Sequence, residues 1–180
     1  MATKQIPFSN NGRPKIDERL ILMDLQASTP DMVLSKLSDH LYAHGFVRDT
    51  FKDAVLKREH EFPTGLPSAI PVAIPHTDSM HNLHSALAVA ILREPVDFRI
   101  MGTDVETEPV QLVFMLTITD PKSQASWLGQ LIELIRQPAL LKELLTAKDP
   151  HQAAEHLRTN LFPVIPVGPA IPIPSTRKEG

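Results

Sequence analysis

A chain of 180 residues with 42% hydrophobic and 22% charged residues has room for one sizeable core and the profile of an ordinary globular domain. A net charge of −3 supplies no broad basic field for nucleic acid or an anionic membrane surface. The absence of cysteine excludes a disulfide framework, a thiolate nucleophile and a Cys-type zinc site, and fits a cytoplasmic protein.

In chain order, residues 1–15 are polar, carry Asn10-Asn11-Gly12 and Pro14, and read as a loose arm with no apolar signal core. A first strand is expected over Ile16 to Leu25. Thr29-Pro30-Asp31 then gives a hydroxyl cap, a proline at the first helical position and an acid in the first turn. Val33, Leu34, Leu37 and Leu41 follow on one helical face, and Gly45 stands where that helix would stop. A second helix is expected from Asp49, with Phe51, Ala54, Val55 and Arg58 on one side. Arg58 falls near its last turn, and Pro63 and Gly65 close the segment.

Ile70 to Ile74 is an apolar run leading into Pro75-His76. Ala86 to Leu92 reads as a strand covered on both faces, Val96 to Ile100 as a half-buried or edge strand, and Val110 to Ile118 as another apolar strand. Three helices are expected next. The first carries Trp127, Leu128, Leu131, Ile132, Leu134 and Ile135, the second opens at Pro138, and the third is capped by Asp149-Pro150. Helices around a mostly apolar sheet define an α/β layered domain, spanning residues 16–162. From Pro163 the chain is proline-rich (Pro163, Pro166, Pro169, Pro172, Pro174), so residues 163–180 are expected to be an extended tail. No run approaches the ~20 apolar residues of a membrane span.

The chemistry concentrates between Arg58 and Asp78. Pro75 fixes its own φ and biases Ile74 towards an extended backbone, so the next side chain, His76, leaves in a set direction at a sheet edge or mouth. That placement suits a reactive imidazole, and equally a plain strand-to-loop exit. A neutral imidazole can attack phosphorus, hold the group as an N–P bond and pass it on. Phosphoryl transfer asks the protein for alignment and for cationic or hydrogen-bonding groups around the equatorial oxygens. Arg58 offers a planar fork, Thr64 a hydroxyl and Gly65 an approachable amide. There is no Gly-rich Lys loop of the nucleotide-binding kind and no Gly-x-Ser-x-Gly elbow. A competing constellation, His76, Asp78, His81 and His84, has the residue types of a zinc or iron site and would make the protein a metal-dependent hydrolase. Its spacing matches no established ligand motif.

Two ordered motifs favour the first reading. Arg58-Glu59-x-x-Phe62-Pro63-Thr64-Gly65-Leu66, followed by Val72-Ala73-Ile74-Pro75-His76-Thr77-Asp78, resembles the signature of the phosphotransferase-system enzyme IIA domains of the fructose/mannitol superfamily. The wording of both motifs is similar to the galactitol (hexitol/pentitol) branch. Pro95-Val96-x-Phe98 with Met101-Gly102, and Val113-Phe114-Met115-Leu116, fit the same branch. The likeness runs over about residues 18 to 160.

The resemblance implies a mixed, five-stranded sheet flanked by helices, and no cofactor, metal or nucleotide. It implies a phosphoryl carrier that accepts phosphate from phospho-HPr and gives it to a cysteine of enzyme IIB, which serves the membrane component IIC. The phospho-acceptor maps to His76, through Nε2, and the helix-end arginine to Arg58. The family's second histidine is matched here by Trp127, whose indole has one N–H donor and no charge. His60, two residues after Arg58, is a candidate to compensate. An alternative within the same family is a regulatory protein of the nitrogen-related kind, with His76 as a switch and no sugar transported.

Overall fold

The computed structural model describes residues 13–161; the proline-rich tail and most of the N-terminal arm lie outside them. Lys15, assigned to the arm from sequence, donates its N–H to the Ser85 carbonyl at 2.9 Å and accepts from Leu87 at 3.0 Å. The expected first strand starts later than Ile16. The Asp17 carboxylate accepts the Arg19 N–H at 3.0 Å and grips its guanidinium, turning Glu18–Leu20 into a 3-10 turn. Strand β1 is Ile21–Leu25.

Helix α1, Pro30–Ala43, starts where the cap predicts: the Thr29 hydroxyl oxygen accepts the Met32 N–H at 3.2 Å. Gly45 ends the segment with φ +75°, a conformation glycine adopts at no steric cost. Helix α2, Phe51–Glu61, begins two residues later than expected. Two short strands follow, β2 (Gly65–Leu66) and β3 (Val72–Ala73). β2 is too short to leave a periodic signal in sequence.

The two strands expected over residues 86–100 are one, β4, Ala86–Arg99. Its pairing register shifts between Ile91 and Val96, where Pro95 cannot donate a ladder hydrogen bond. It forms a long antiparallel hairpin with β5, Thr107–Thr117. The chain finishes with α3 (Pro121–Ile135), α4 (Pro138–Leu145) and α5 (Pro150–Leu161).

The five strands lie in the order β1-β4-β5-β3-β2. β1 runs parallel to β4 and β3 parallel to β5, while β4/β5 and β3/β2 are antiparallel, so the sheet is mixed as expected. Strand alternation assigns each face of the sheet its own helices. Ala86, Ala88 and Ala90 face the layer of α1 and α2, where Val33, Leu34, Leu37, Leu41, Phe51 and Val55 are fully buried. Leu87, Val89 and Ile91 face α3, α4 and α5. Small side chains on one face and large ones on the other let bulky helix residues fill the first layer without overpacking.

β2 is tied on both sides. It pairs with β3, and beyond its other edge Met101 donates its N–H to the Gly65 carbonyl at 2.8 Å, just past the end of β4. That approach requires glycine: a Cβ at Gly65 would sit 2.5 Å from the Arg99 carbonyl oxygen. Among the described residues no helix is long and apolar enough to cross a membrane.

Candidate active site

His76 follows β3 directly, and the strand continues alongside β5 to reach it. Leu116 donates its N–H to the Pro75 carbonyl at 3.2 Å, with His76 opposite Leu116 as a single parallel bridge. The histidine therefore stands at the end of an interior strand, between β5 and β2, so of the two placements its proline suggested, a sheet edge or mouth, it is not at an edge. It is more covered than expected, at 9% exposure. The opening starts at the next residues. Thr77 and Asp78, with Lys57, Arg58 and His81, line a cleft of about 220 Å³.

Nδ1 of His76 lies 2.8 Å from the carbonyl oxygen of Ile74. A carbonyl only accepts, so Nδ1 carries the proton and a neutral ring presents its lone pair on Nε2. Burial lowers the pKa of His76 below its ordinary value, and the positive charge of Arg58 acts in the same sense. The Ile74 carbonyl and Asp78 oppose them, with the net shift downward. The ring is thus favoured in its neutral form, with its lone pair on Nε2.

Arg58 sits in the last turn of α2, as the helical spacing predicted. Its Nη1 is 4.0 Å from Asp78 Oδ1, and its guanidinium carbon lies 5.5 Å from the centre of the Phe62 ring. Its Nε is buried and has no hydrogen-bond partner. A partly exposed cation held only by one distant carboxylate and an aromatic face is suited to meet an arriving phosphate.

The other sequence candidates are placed differently. Thr64 is buried at 3% exposure, and its hydroxyl donates to Glu59 Oε2 at 2.7 Å, so that donor is already engaged. His60 is turned away from Arg58, since two residues along an α-helix rotate a side chain by about 200°. Its Nε2 lies 2.8 Å from Asp31 Oδ1. The metal constellation is not assembled. His81 Nδ1 is 2.8 Å from the Thr50 hydroxyl, His84 packs edge-on to Phe46, and His76 Nδ1 is held by Ile74. Among the described residues no group of three or more His, Cys, Asp or Glu is placed to hold a metal ion. Trp127 is on α3, partly buried against the core layer of α3, α4 and α5.

The residue that sequence reasoning passed over is Glu59. It is 6% exposed, and burial pushes its carboxyl up from 4.5 to about 7 against the lowering effect of two hydrogen bonds from Thr64. Its signal was present: Phe51, Val55 and Glu59 repeat every fourth residue on the buried side of α2.

A family model described as "Phosphoenolpyruvate-dependent sugar phosphotransferase system, EIIA 2" matches residues 15–160. The chain belongs to this family. The galactitol-specific EIIA component of Escherichia coli K12 is 32% identical over 115 residues, covering 63% of this chain and 76% of that protein. Among solved structures, the IIA mannitol domain of Escherichia coli superposes with a TM-score of 0.66 at 18% identity, over 79% of this chain and 99% of that one. The same fold appears in the complex of mannitol enzyme IIA with phosphorylated enzyme IIB from Escherichia coli, with a TM-score of 0.62 at 19% identity, over 78% of this chain and 94% of that chain. This EIIA chain is accordingly a phosphoryl-transfer component of a sugar phosphotransferase system, with the mixed-sheet fold of its relatives.

Proposed function

We propose that the protein carries a phosphoryl group on Nε2 of His76, taking it from phospho-HPr and passing it to a cysteine of an enzyme IIB that serves galactitol or a related polyol. The observation that carries this reading is the hydrogen bond from Nδ1 to the Ile74 carbonyl, which leaves Nε2 as the nucleophilic nitrogen of a neutral ring. As the N–P bond to Nε2 forms, the donor's N–P bond breaks and its electron pair returns to the donor nitrogen. The His76 ring then gains positive charge, and the Ile74 carbonyl stabilises the proton that stays on Nδ1. Arg58, whose positive charge already acts on the His76 ring and whose side chain is about one-third exposed, faces the charge on the transferring oxygens. The onward step reverses these changes, with a thiolate as acceptor.

The choice of partners and sugar is supported by the 32% identical galactitol-specific relative and by the mannitol-type relative solved with phosphorylated enzyme IIB. Incubation with phosphoenolpyruvate, enzyme I and HPr should add one acid-labile, base-stable phosphoryl group. Mass spectrometry should locate it on His76, and His76→Ala should accept none. Phosphate on another side chain, or an unchanged yield in His76→Ala, would remove the reading.

A further inference from the structure

Glu59 is a buried carboxylate that the chemistry at His76 does not itself use. Its Oε1 accepts the Thr64 N–H at 2.9 Å and its Oε2 accepts the Thr64 hydroxyl at 2.7 Å. The Thr64 carbonyl accepts the Ile74 N–H at 3.3 Å, and the Ile74 carbonyl accepts from His76 Nδ1 at 2.8 Å. A continuous run of hydrogen bonds and peptide groups therefore leads from α2 to the reactive imidazole. The same helix carries Arg58 in the position immediately before Glu59. The far side of the run is fixed as well, because Arg99 donates to the carbonyl oxygens of Glu59 and His60, and Met101 donates to that of Gly65.

Resting on the reading of His76 as the phospho-acceptor, we propose that Glu59 is a positioning residue for phosphoryl transfer. By clamping Thr64 from both oxygens it locks β2 against β3, and so sets the Ile74 carbonyl that selects the His76 tautomer. The same clamp ties the end of α2, and hence Arg58, to the strand pair that delivers the histidine. An apolar residue of similar volume would avoid the desolvation of a buried carboxylate, but would leave the Thr64 N–H and hydroxyl unsatisfied beside the site. Small losses of alignment between acceptor and cation are costly in a reaction whose catalysis is mostly positioning.

The test uses the full chain and four variants, Glu59→Ala, Glu59→Gln, Thr64→Val and Thr64→Ser, each checked for folding by circular dichroism. Transfer from phospho-HPr is measured against donor concentration, and the His76 tautomer of the unphosphorylated protein is read by 15N NMR of the labelled ring. Glu59→Ala and Thr64→Val should lower the maximal rate by about tenfold or more, with the half-saturating donor concentration unchanged. Both should shift the ring from a single Nδ1–H form to a mixture. Glu59→Gln and Thr64→Ser, which keep part of the clamp, should recover most of the rate. A folded Glu59→Ala protein with the native rate and a single Nδ1–H tautomer overturns the proposal, as does a loss confined to donor binding. If Glu59→Ala does not fold, the same two readouts on Thr64→Val decide. Failure of the wild-type chain to take phosphate on His76 would instead strike the functional reading, and the tautomer measurement would still judge the clamp.

Discussion

His76 and Glu59 are both buried titratable side chains, linked through the β2–β3 pair, and their surroundings use them in opposite ways. Both Glu59 oxygens are occupied by Thr64, whereas His76 has one nitrogen engaged and one left over. Burial moves the two pKa values in opposite directions, lowering His76 and raising Glu59 to about 7. Burial thus disfavours the charged form of each, but with different results: a neutral imidazole can act as a nucleophile, and a carboxyl group with both oxygens bonded is a brace. Reactivity here depends less on burial than on which hydrogen-bonding positions the fold leaves open.

The sharpest way to break this contrast is through the cation beside the histidine. Arg58→Ala should leave the protein folded and slow phosphoryl transfer by roughly 10–100-fold, because a charged donor to the transferring oxygens is lost. Rapid-quench measurement of transfer from phospho-HPr checks this, and a native rate would make Arg58 purely structural. A second effect concerns the stability attached to Glu59. Its folded pKa lies above its unfolded value, so between about 4.5 and about 7 the native state holds a proton that the unfolded chain has released. Stability should therefore fall as pH rises through that window, by on the order of 3 kcal/mol from this group. Glu59→Gln should flatten that part of the profile; urea unfolding at pH 5 and pH 8 measures it. The smallest effect belongs to His60→Gln. Because the His60–Asp31 pair is largely exposed, its loss should change stability by less than about 1 kcal/mol and leave the transfer rate within about twofold.

The same contrast marks what the sequence made legible. Helices α1, α4 and α5 announced themselves through Thr29-Pro30, Pro138 and Asp149-Pro150, because capping chemistry is local. Arg58 could be placed at the end of α2 by counting turns. His76 stood out because a proline fixes the backbone before it. The function of β2 was not legible, since two residues carry no period and Gly65 owes its place to the Arg99 backbone, more than thirty residues away. Residues 93–95 fall between two expected strands, yet β4 passes through them with only a shift of register. Thr64 and His60 have partners that their sequence positions do not show, for a common reason. Each lies close to Arg58 in sequence, but its partner, Glu59 or Asp31, is set by how α2 packs. Glu59 itself was hidden by its charge, which reads as solvent-facing until Thr64 and Arg99 are brought to it.

The bond between Met101 and Gly65 has a bearing on how protein partners can approach. With β2 held by β3 on one side and by the chain leaving β4 on the other, the sheet closes round on itself at Gly65, on the flank of the strand that leads to His76. A visiting chain finds β2 already paired on both flanks at Gly65, so that strand offers no free edge for strand addition. A partner that docks against this flank must therefore be recognised by side chains and loop surfaces, which asks for no shared backbone geometry.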